Sequence, residues 1–318
     1  MHTIAGMVLK RIALGALTIV MISFLISVGI EALPGDVAQA ILGQTATPET
    51  VAAFRRELKL DLPFYVRYFS WLQDFSRGDF GISLANGRPV AQMIGWRFSN
   101  TLFLAAVAGV ISVPLSLLLG MLSALYRNSW FDRMISTITL TTISFPEFFV
   151  AYILIAVLSV QINLFPSISN LNESMQFWQK LHIIILPCLT LTLAVFAHMM
   201  RMTRAAIINV LSSPFIEMAE LKGLKRSRII VHHAFPNALS PIITVIVLNL
   251  AWLIVGVVVV EVVFVYPGLG QLLVDAVSKR DLPVVQASGL IFAATYVTLN
   301  LTADVLAMIT NPKLRNPK

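Results

Sequence analysis

Charge is scarce in this chain of 318 residues: only 12% are Asp, Glu, Lys or Arg, against roughly 25% in an average soluble domain. With 57% hydrophobic residues and a mean hydropathy of +0.82, too little polar surface remains to cover a water-soluble globule. Cysteine is nearly absent. The single Cys188 excludes an intramolecular disulfide framework and any multi-cysteine metal site, and its apolar neighbours make it a small buried hydrophobe. None of the 16 glycines is followed by lysine, so no phosphate-cradling loop is present and ATP hydrolysis would have to come from another chain. Gly268-Leu269-Gly270 lacks the third glycine of a dinucleotide fingerprint and reads as a turn. His232 and His233 are adjacent and face different ways on a helix, so they do not have metal-ligand spacing. Neither a metal nor a cofactor is expected.

What is abundant is long uncharged sequence. Runs of about 20 residues are long enough to cross a hydrocarbon core. Six occur, near Ile12–Ile30, Thr101–Tyr126, Met134–Val160, Ile183–Met200, Ile242–Val265 and Val284–Ile309. The first is too long for a signal-peptide core and is expected to be retained. The net charge of +7 falls mainly between these runs rather than in a basic stripe with stacking aromatics, which argues against nucleic acid. With the amino terminus inside, the inner segments hold 13 Lys and Arg and the two short outer loops hold three, Lys180, Lys279 and Arg280. The seven others lie in the 69 residues from Glu31 to Ser99, too long a segment to count in the positive-inside rule. The spacing thus predicts an all-α, six-span membrane protein with both termini cytoplasmic. Its parts are a first span (1–30), an outer helical segment (31–99), a core (100–309) and a short tail (310–318).

In the outer segment, Thr47-Pro48-Glu49 reads as a helix start with capping hydroxyl, first-turn proline and acid. That helix would present Val51, Phe54 and Leu58 on one face, and Tyr65, Tyr68, Leu72 and Phe75 would line another. Arg77-Gly78-Asp79-Phe80-Gly81 reads as a turn-rich connection.

The loop between spans four and five, about Arg201 to Pro241, is long and too apolar for a solvated connector. Pro214 would open a helix running through Phe215, Ile216, Ala219 and Leu224, with Gly223 as a flexible joint. A second short helix over Arg226 to Ala234 would end before Pro236. Such a pair forms either a knob that docks on a protein or an amphipathic element lying on anionic lipid, rimmed by Lys222, Lys225, Arg226 and Arg228.

Here the chain resembles a family. Glu217-Met218-Ala219, three residues, then Gly223, Ile229 and Pro236 is similar to the cytoplasmic loop of binding-protein-dependent importer permeases, whose pattern is Glu-Ala-Ala, three residues, Gly. Further ordered matches to the oligopeptide/dipeptide/nickel permease subfamily, and to its first permease subunit, run nearly end to end. They include Leu33-Pro34-Gly35-Asp36, Arg77 to Leu84, Arg201-Met202-Thr203-Arg204-Ala205, Tyr266-Pro267-Gly268-Leu269-Gly270 and Arg280 to Gln286. Met218 and Leu221 depart from the usual alanines. The resemblance implies a type I importer permease fold in the inner membrane. It also implies four kinds of partner: a second permease, two ATPase subunits, a soluble substrate-binding protein and the bilayer. On the same ground, Glu217, Met218, Ala219, Leu221, Gly223 and Leu224 would form the coupling helix that docks on an ATPase.

Three acids lie within the runs. Glu147, midway along span three and directly after Pro146, would cost roughly 3 kcal/mol or more facing lipid. It therefore faces a wet translocation path, a structural partner, or stays neutral and buried. On a path it would suit the amino terminus of a peptide or another cation. Glu261 and Asp304, near span ends, are expected to snorkel or pair at the interface, and His198 to be a satisfied histidine near the inner end of span four. Two other readings remain: a secondary transporter or channel using Glu147 as an ion relay, which would need inverted repeats with matched broken helices, and a membrane scaffold.

Overall fold

A computed structural model describes residues 4–32, 37–42, 44, 46–57 and 60–310. The Leu33 to Asp36 motif, Leu58 and the tail from 311 onward lie outside these residues, as does the side chain of Phe54. Helices α1 (Ile4–Glu31), α2 (Val37–Leu42), α3 (Pro48–Glu57) and α4 (Phe64–Ser76) precede the long α5 (Val90–Leu125). Then come α6 (Trp130–Ser144), α7 (Glu147–Leu154) with a π-helical extension over Ile155–Gln161, α8 (Phe177–Ile183) and α9 (Ile185–Leu211). The chain continues through α10 (Pro214–Leu221), α11 (Arg226–Ile229), a π-turn over Ile230–Ala234, α12 (Phe235–Val263), α13 (Leu269–Ser278) and α14 (Leu282–Thr310). Five helices, α1, α5, α9, α12 and α14, are long and apolar enough to cross a membrane, and the pair α6 and α7 makes a sixth span if counted as one.

That sixth span is not a continuous helix. The apolar run from Met134 to Val160 breaks between Ser144 and Glu147, with 106° between its two halves. Pro146 has no N–H and pushes Phe145 into an extended conformation (φ −99°, ψ 137°). Approaching the break, the hydroxyls of Thr141, Thr142 and Ser144 donate back to the carbonyls of Thr137, Ile138 and Leu140 at 2.8–2.9 Å. Such back-bonding loosens and bends helices.

The core pair is α5 against α9. On α5 the buried Ala105, Ala108, Gly109, Ser112, Ser116, Gly120 and Ser123 recur at three- and four-residue spacing and form one narrow face. Small residues allow backbones to approach where lipid offers no hydrophobic gain for helix association. The approach is close enough that a Cβ on Gly120 would stand 2.9 Å from Thr203 and 3.0 Å from the Met200 carbonyl. At one end of this pair, Arg204 of α9 donates two 2.8 Å hydrogen bonds to Asp132, which also accepts from Ser123 of α5. Asp132 lies in the first turn of α6, capped by Ser129, and takes the Asn128 amide as well, so three helices are tied at one carboxylate.

At the opposite end, α4 lies against α1. Tyr68 is buried, bonded to Ser23 at 2.7 Å and edge-on to Phe24, and Arg67 pairs with Glu31 at 2.6 Å. Phe64, Tyr68, Trp71 and Phe75 form the packed face, whereas Tyr65, expected on it, is 63% exposed. Thr47 caps α3 as expected, its hydroxyl taking the Thr50 amide at 3.2 Å.

Glu261 does not snorkel. It is fully buried at the end of α12 and caps the next helix. Its Oε2 accepts the Gly270 and Gln271 amides at 2.7 and 3.1 Å, and its Oε1 accepts the Thr101 hydroxyl at 2.6 Å. Thr101 in turn takes the Leu269 amide at 2.8 Å. Gly268-Leu269-Gly270 is therefore more than a turn: it is the start of α13, wrapped so tightly on the carboxylate that a Cβ at Gly268 would overlap it. Tyr266 completes the arrangement, its hydroxyl donating to the Asn100 carbonyl at 2.7 Å. Asp304, by contrast, pairs with Arg11 at 2.5 Å with both partners exposed, one of the two outcomes expected of an acid near a span end.

Removing the Glu261 carboxylate strands three donors, each costing about 1–3 kcal/mol when buried without a partner. Glu261→Ala is expected to melt many degrees lower in detergent or fail to accumulate. Asp304→Asn removes an exposed pair worth about 0–1 kcal/mol and should melt like the parent. Thermal denaturation of both variants checks this; equal melting would show that the cap contributes little.

Candidate functional site

Two places gather residues that the packing of the chain does not explain. The first is α10 and its flanks. α9 runs on to Leu211, so Arg201 and Arg204 still belong to it and the loop proper starts at Ser212. Pro214 occupies the first turn of α10, after an extended Ser213. The helix stops at Leu221, three residues before Leu224. The Leu224 amide bonds to the Ala219 carbonyl at 3.3 Å and the Gly223 amide to the Glu220 carbonyl at 2.8 Å, the paired bonds of a Schellman cap. Gly223 has φ +75°, a region that side-chain-bearing residues enter at a cost of roughly 1–2 kcal/mol, although a Cβ there would meet nothing within 4 Å. The expected flexible joint is thus a fixed stop, required for its backbone angle rather than for space.

The second expected helix does not end before Pro236. Helical backbone continues from Arg226 through the π-turn into α12 without a break, with Pro236 in the first α12 turn. The π-turn supplies the wider Phe235 amide to Ile230 carbonyl bond, so the missing proline N–H is accommodated at the junction.

α10 is amphipathic across its width. Ile216 (1% exposed) and Ala219 (8%) pack into a cluster with Ala124 of α5, Ile207 of α9, and Ile229, Ile230, Ala238 and Ile242. Leu224 leans on the same cluster. Outward stand Phe215, Met218 (56%) and Leu221 (77%), beside exposed Glu217, Lys222, Lys225 and Arg228. Of the six residues assigned to this segment from sequence, Ala219 and Leu224 therefore face their own chain. Phe215, expected in this helix but not counted among those six, joins the outward stripe. Its three-residue offset from Met218 was the available signal.

The second place is the break in span three. Glu147 opens α7, and its Oε2 is buried without a hydrogen-bond partner among the described residues. The break forms one wall of a cavity of about 430 Å3, lined also by Thr142, His198, Asn249 and Trp252. His198 is the central residue of Ile185–Leu211, not near its end, because α9 extends further than its apolar run. Its Nδ1 meets the Asn249 Oδ1 at 3.2 Å, and the Asn249 amide donates to the Val245 carbonyl at 2.7 Å, so that pair is satisfied. Gly256 was also missed from sequence: a Cβ there would stand 3.3 Å from both Glu147 Oε2 and the Trp252 ring, so its lack of side chain makes the notch that seats the carboxylate. Among the described residues there is no cluster of His, Cys, Asp and Glu fit to hold a metal.

Comparison with known proteins agrees with the fold over nearly its whole length. Residues 116–316 match the profile described as "Binding-protein-dependent transport system inner membrane component", and residues 4–105 match that of the N-terminal region of such membrane components. The chain is similar to the glutathione transport system permease protein GsiC of Escherichia coli strain K12, at 38% identity over 309 residues, 97% of this chain and 98% of the relative. The GsiC proteins of Shigella dysenteriae serotype 1 and Shigella flexneri serotype 5b are similar to the same extent.

The two faces of α10 should differ in reactivity. In a Cys188→Ala background, cysteines at Met218 and Leu221 of the purified chain are expected to react with a maleimide many times faster than a cysteine at Ala219. Labelling rates by mass spectrometry check this; similar rates at all three would mean that α10 is not seated as described.

Proposed function

Because the chain belongs to the inner membrane components of binding-protein-dependent transport systems, and is thus a permease subunit of an ATP-binding cassette importer, we propose that α10 is the helix through which ATPase subunits move it. ATP hydrolysis belongs to those separate subunits. The observation that carries the proposal is the outward stripe of Phe215, Met218 and Leu221, held on a helix whose other face is locked into α5, α9 and α12. An apolar stripe on so short a helix gains little by resting on lipid headgroups, but it suits a groove in a protein. The buried side, meanwhile, passes any displacement to three spans at once. Basic Lys222, Lys225 and Arg228 flank the stripe and suit an acidic groove rim.

In this reading α10 and both termini are cytoplasmic, in line with the distribution of Lys and Arg, and the segment from 31 to 99 caps the opposite side, where a soluble binding protein delivers substrate. The cavity beside Glu147 belongs to the translocation path. His198 and Glu147 lie on a surface of the isolated chain at mid-span depth, where facing lipid would be costly. That surface therefore meets water or the second permease. The transported solute is of the small-peptide type, supported by the likeness to permeases named for glutathione transport.

Two outcomes follow for the assembled complex. Cysteines at Met218 and Leu221 are expected to become protected from maleimide and to crosslink to an ATPase subunit in an ATP-dependent way; unchanged labelling in the complex would refute docking at α10. Gly223→Val should lower ATP-driven uptake severalfold through misplacement of α10, while Gly223→Asn, which tolerates a positive φ, keeps most of it. Equal uptake by both, normalised to assembled complex, would show that the cap geometry does not matter for coupling.

A further inference from the structure

We propose that the cavity under the span-three break binds an ammonium group of the transported solute, with Glu147 as its counter-ion and Gly256 as the residue that positions the carboxylate. This rests on the permease reading above and adds to it the chemistry that the path recognises.

Four observations converge. First, Glu147 lacks an ion pair among the described residues, and no Lys or Arg lines the cavity. Second, the neighbouring polar side chains are engaged: Thr142 donates to Ile138, and Asn249 gives its amide to Val245 and turns its oxygen to His198. With Asn249 Oδ1 as acceptor, His198 Nδ1 carries the hydrogen. The groups left over are the Glu147 carboxylate, His198 Nε2 and the Trp252 indole N–H, and the carboxylate is the one acid among the lining residues, a set that suits a cation better than an anion. Third, Trp252 and Glu147 both border the Gly256 notch, each 3.3 Å from where a methyl would stand. A carboxylate beside an indole is a favourable setting for an ammonium ion, which gains from both charge and ring. Fourth, the cavity of about 430 Å3 falls within the range of small-molecule sites, roughly 300–1,000 Å3, and exceeds what one inserted side chain of a second subunit would fill. A solute amine is therefore favoured over a lysine of a neighbouring subunit as the occupant.

Two measurements test this, one of which does not depend on transport. In the reconstituted complex, labelling of Glu147 by dicyclohexylcarbodiimide is followed by peptide mass spectrometry in the presence of n-butylammonium or n-butanol, with the N-acylurea and any butylamide formed by amine capture of the O-acylisourea counted together as labelled. Protection by the ammonium and not by the alcohol is expected; equal protection by both, or by neither, overturns the site even if the importer reading stands. In the transport arm, ATP-driven uptake is compared for glutathione with N-acetylglutathione, and for trialanine with N-acetyltrialanine, at concentrations saturating the binding protein. Glu147→Gln is expected to lower uptake of the free-amine members roughly tenfold, the worth of one charge-assisted hydrogen bond, and to leave the acetylated members nearly unchanged. Gly256→Ala should give the same selectivity with a smaller drop, and Glu147→Asp should retain most of the preference. Loss of both members alike would assign Glu147 to structure or to a contact with the second permease, and would overturn the proposal.

Discussion

Wherever a helix ends or breaks, its free backbone N–H and C=O groups need partners, most strictly inside an apolar medium, and the fold depends on how this chain meets that demand at each break. After α12, Glu261 supplies both carboxylate oxygens to the start of α13 and to Thr101, which passes the interaction on to Leu269. At the break in span three, Pro146 removes a donor and the hydroxyls before it occupy carbonyls of α6. At α10, a glycine in the left-handed region closes the helix with two backbone bonds. Three different devices solve one problem, and each leaves a distinct by-product. The first gives a rigid cap, the second a cavity with an unpaired acid, and the third a short helix seated on three spans with its other face outward.

The contrast between Glu261 and Glu147 shows why position alone could not assign them. Both are acids in apolar runs, and both lie beside a glycine of the packed core. Glu261 has three donors aimed at it and no exposure, so its role is closed within the chain. Glu147 has none among the described residues, and its cavity is open. From sequence, Glu261 looked like an interfacial residue and Glu147 a mid-span acid in need of a wet path or a partner, because distance from the ends of an apolar run was the available measure. That measure fails wherever the chain folds back on a span end, as α13 does on α12.

Much of the architecture was nevertheless legible. Long apolar runs mark the spans because lipid imposes one length and one polarity on any crossing helix. Pro48 and Pro214 mark helix starts because proline loses nothing at a first turn. What stayed hidden was whatever depends on neighbours distant in the chain. The orientation of α4 turns on Ser23 and Phe24, so Phe64 rather than Tyr65 packs inward. The continuity across Pro236 turns on a π-turn that no local propensity announces. Gly256 gains meaning only from a carboxylate more than a hundred residues earlier in the chain. The secondary-transporter alternative required matched breaks in two halves, and among the described residues the sharp bend occurs in one span only.

The loop motif itself divides along the same line. Its alanine at 219 and its glycine at 223 are explained entirely by this chain's own geometry: the first must be small to lie on α5, α9 and α12, the second must adopt a positive φ. Neither requires a partner to be understood. The positions where the sequence departs from the family pattern, Met218 and Leu221, are the ones that point outward. A motif of this kind therefore encodes how α10 is built and seated. Methionine and leucine in place of alanine enlarge the apolar stripe at its two most exposed points. Under the proposed docking, the groove that receives them is correspondingly deep, specificity for an ATPase subunit is a matter of the side chains that the seating leaves free to vary, and the mechanical connection to the spans is a matter of those it does not.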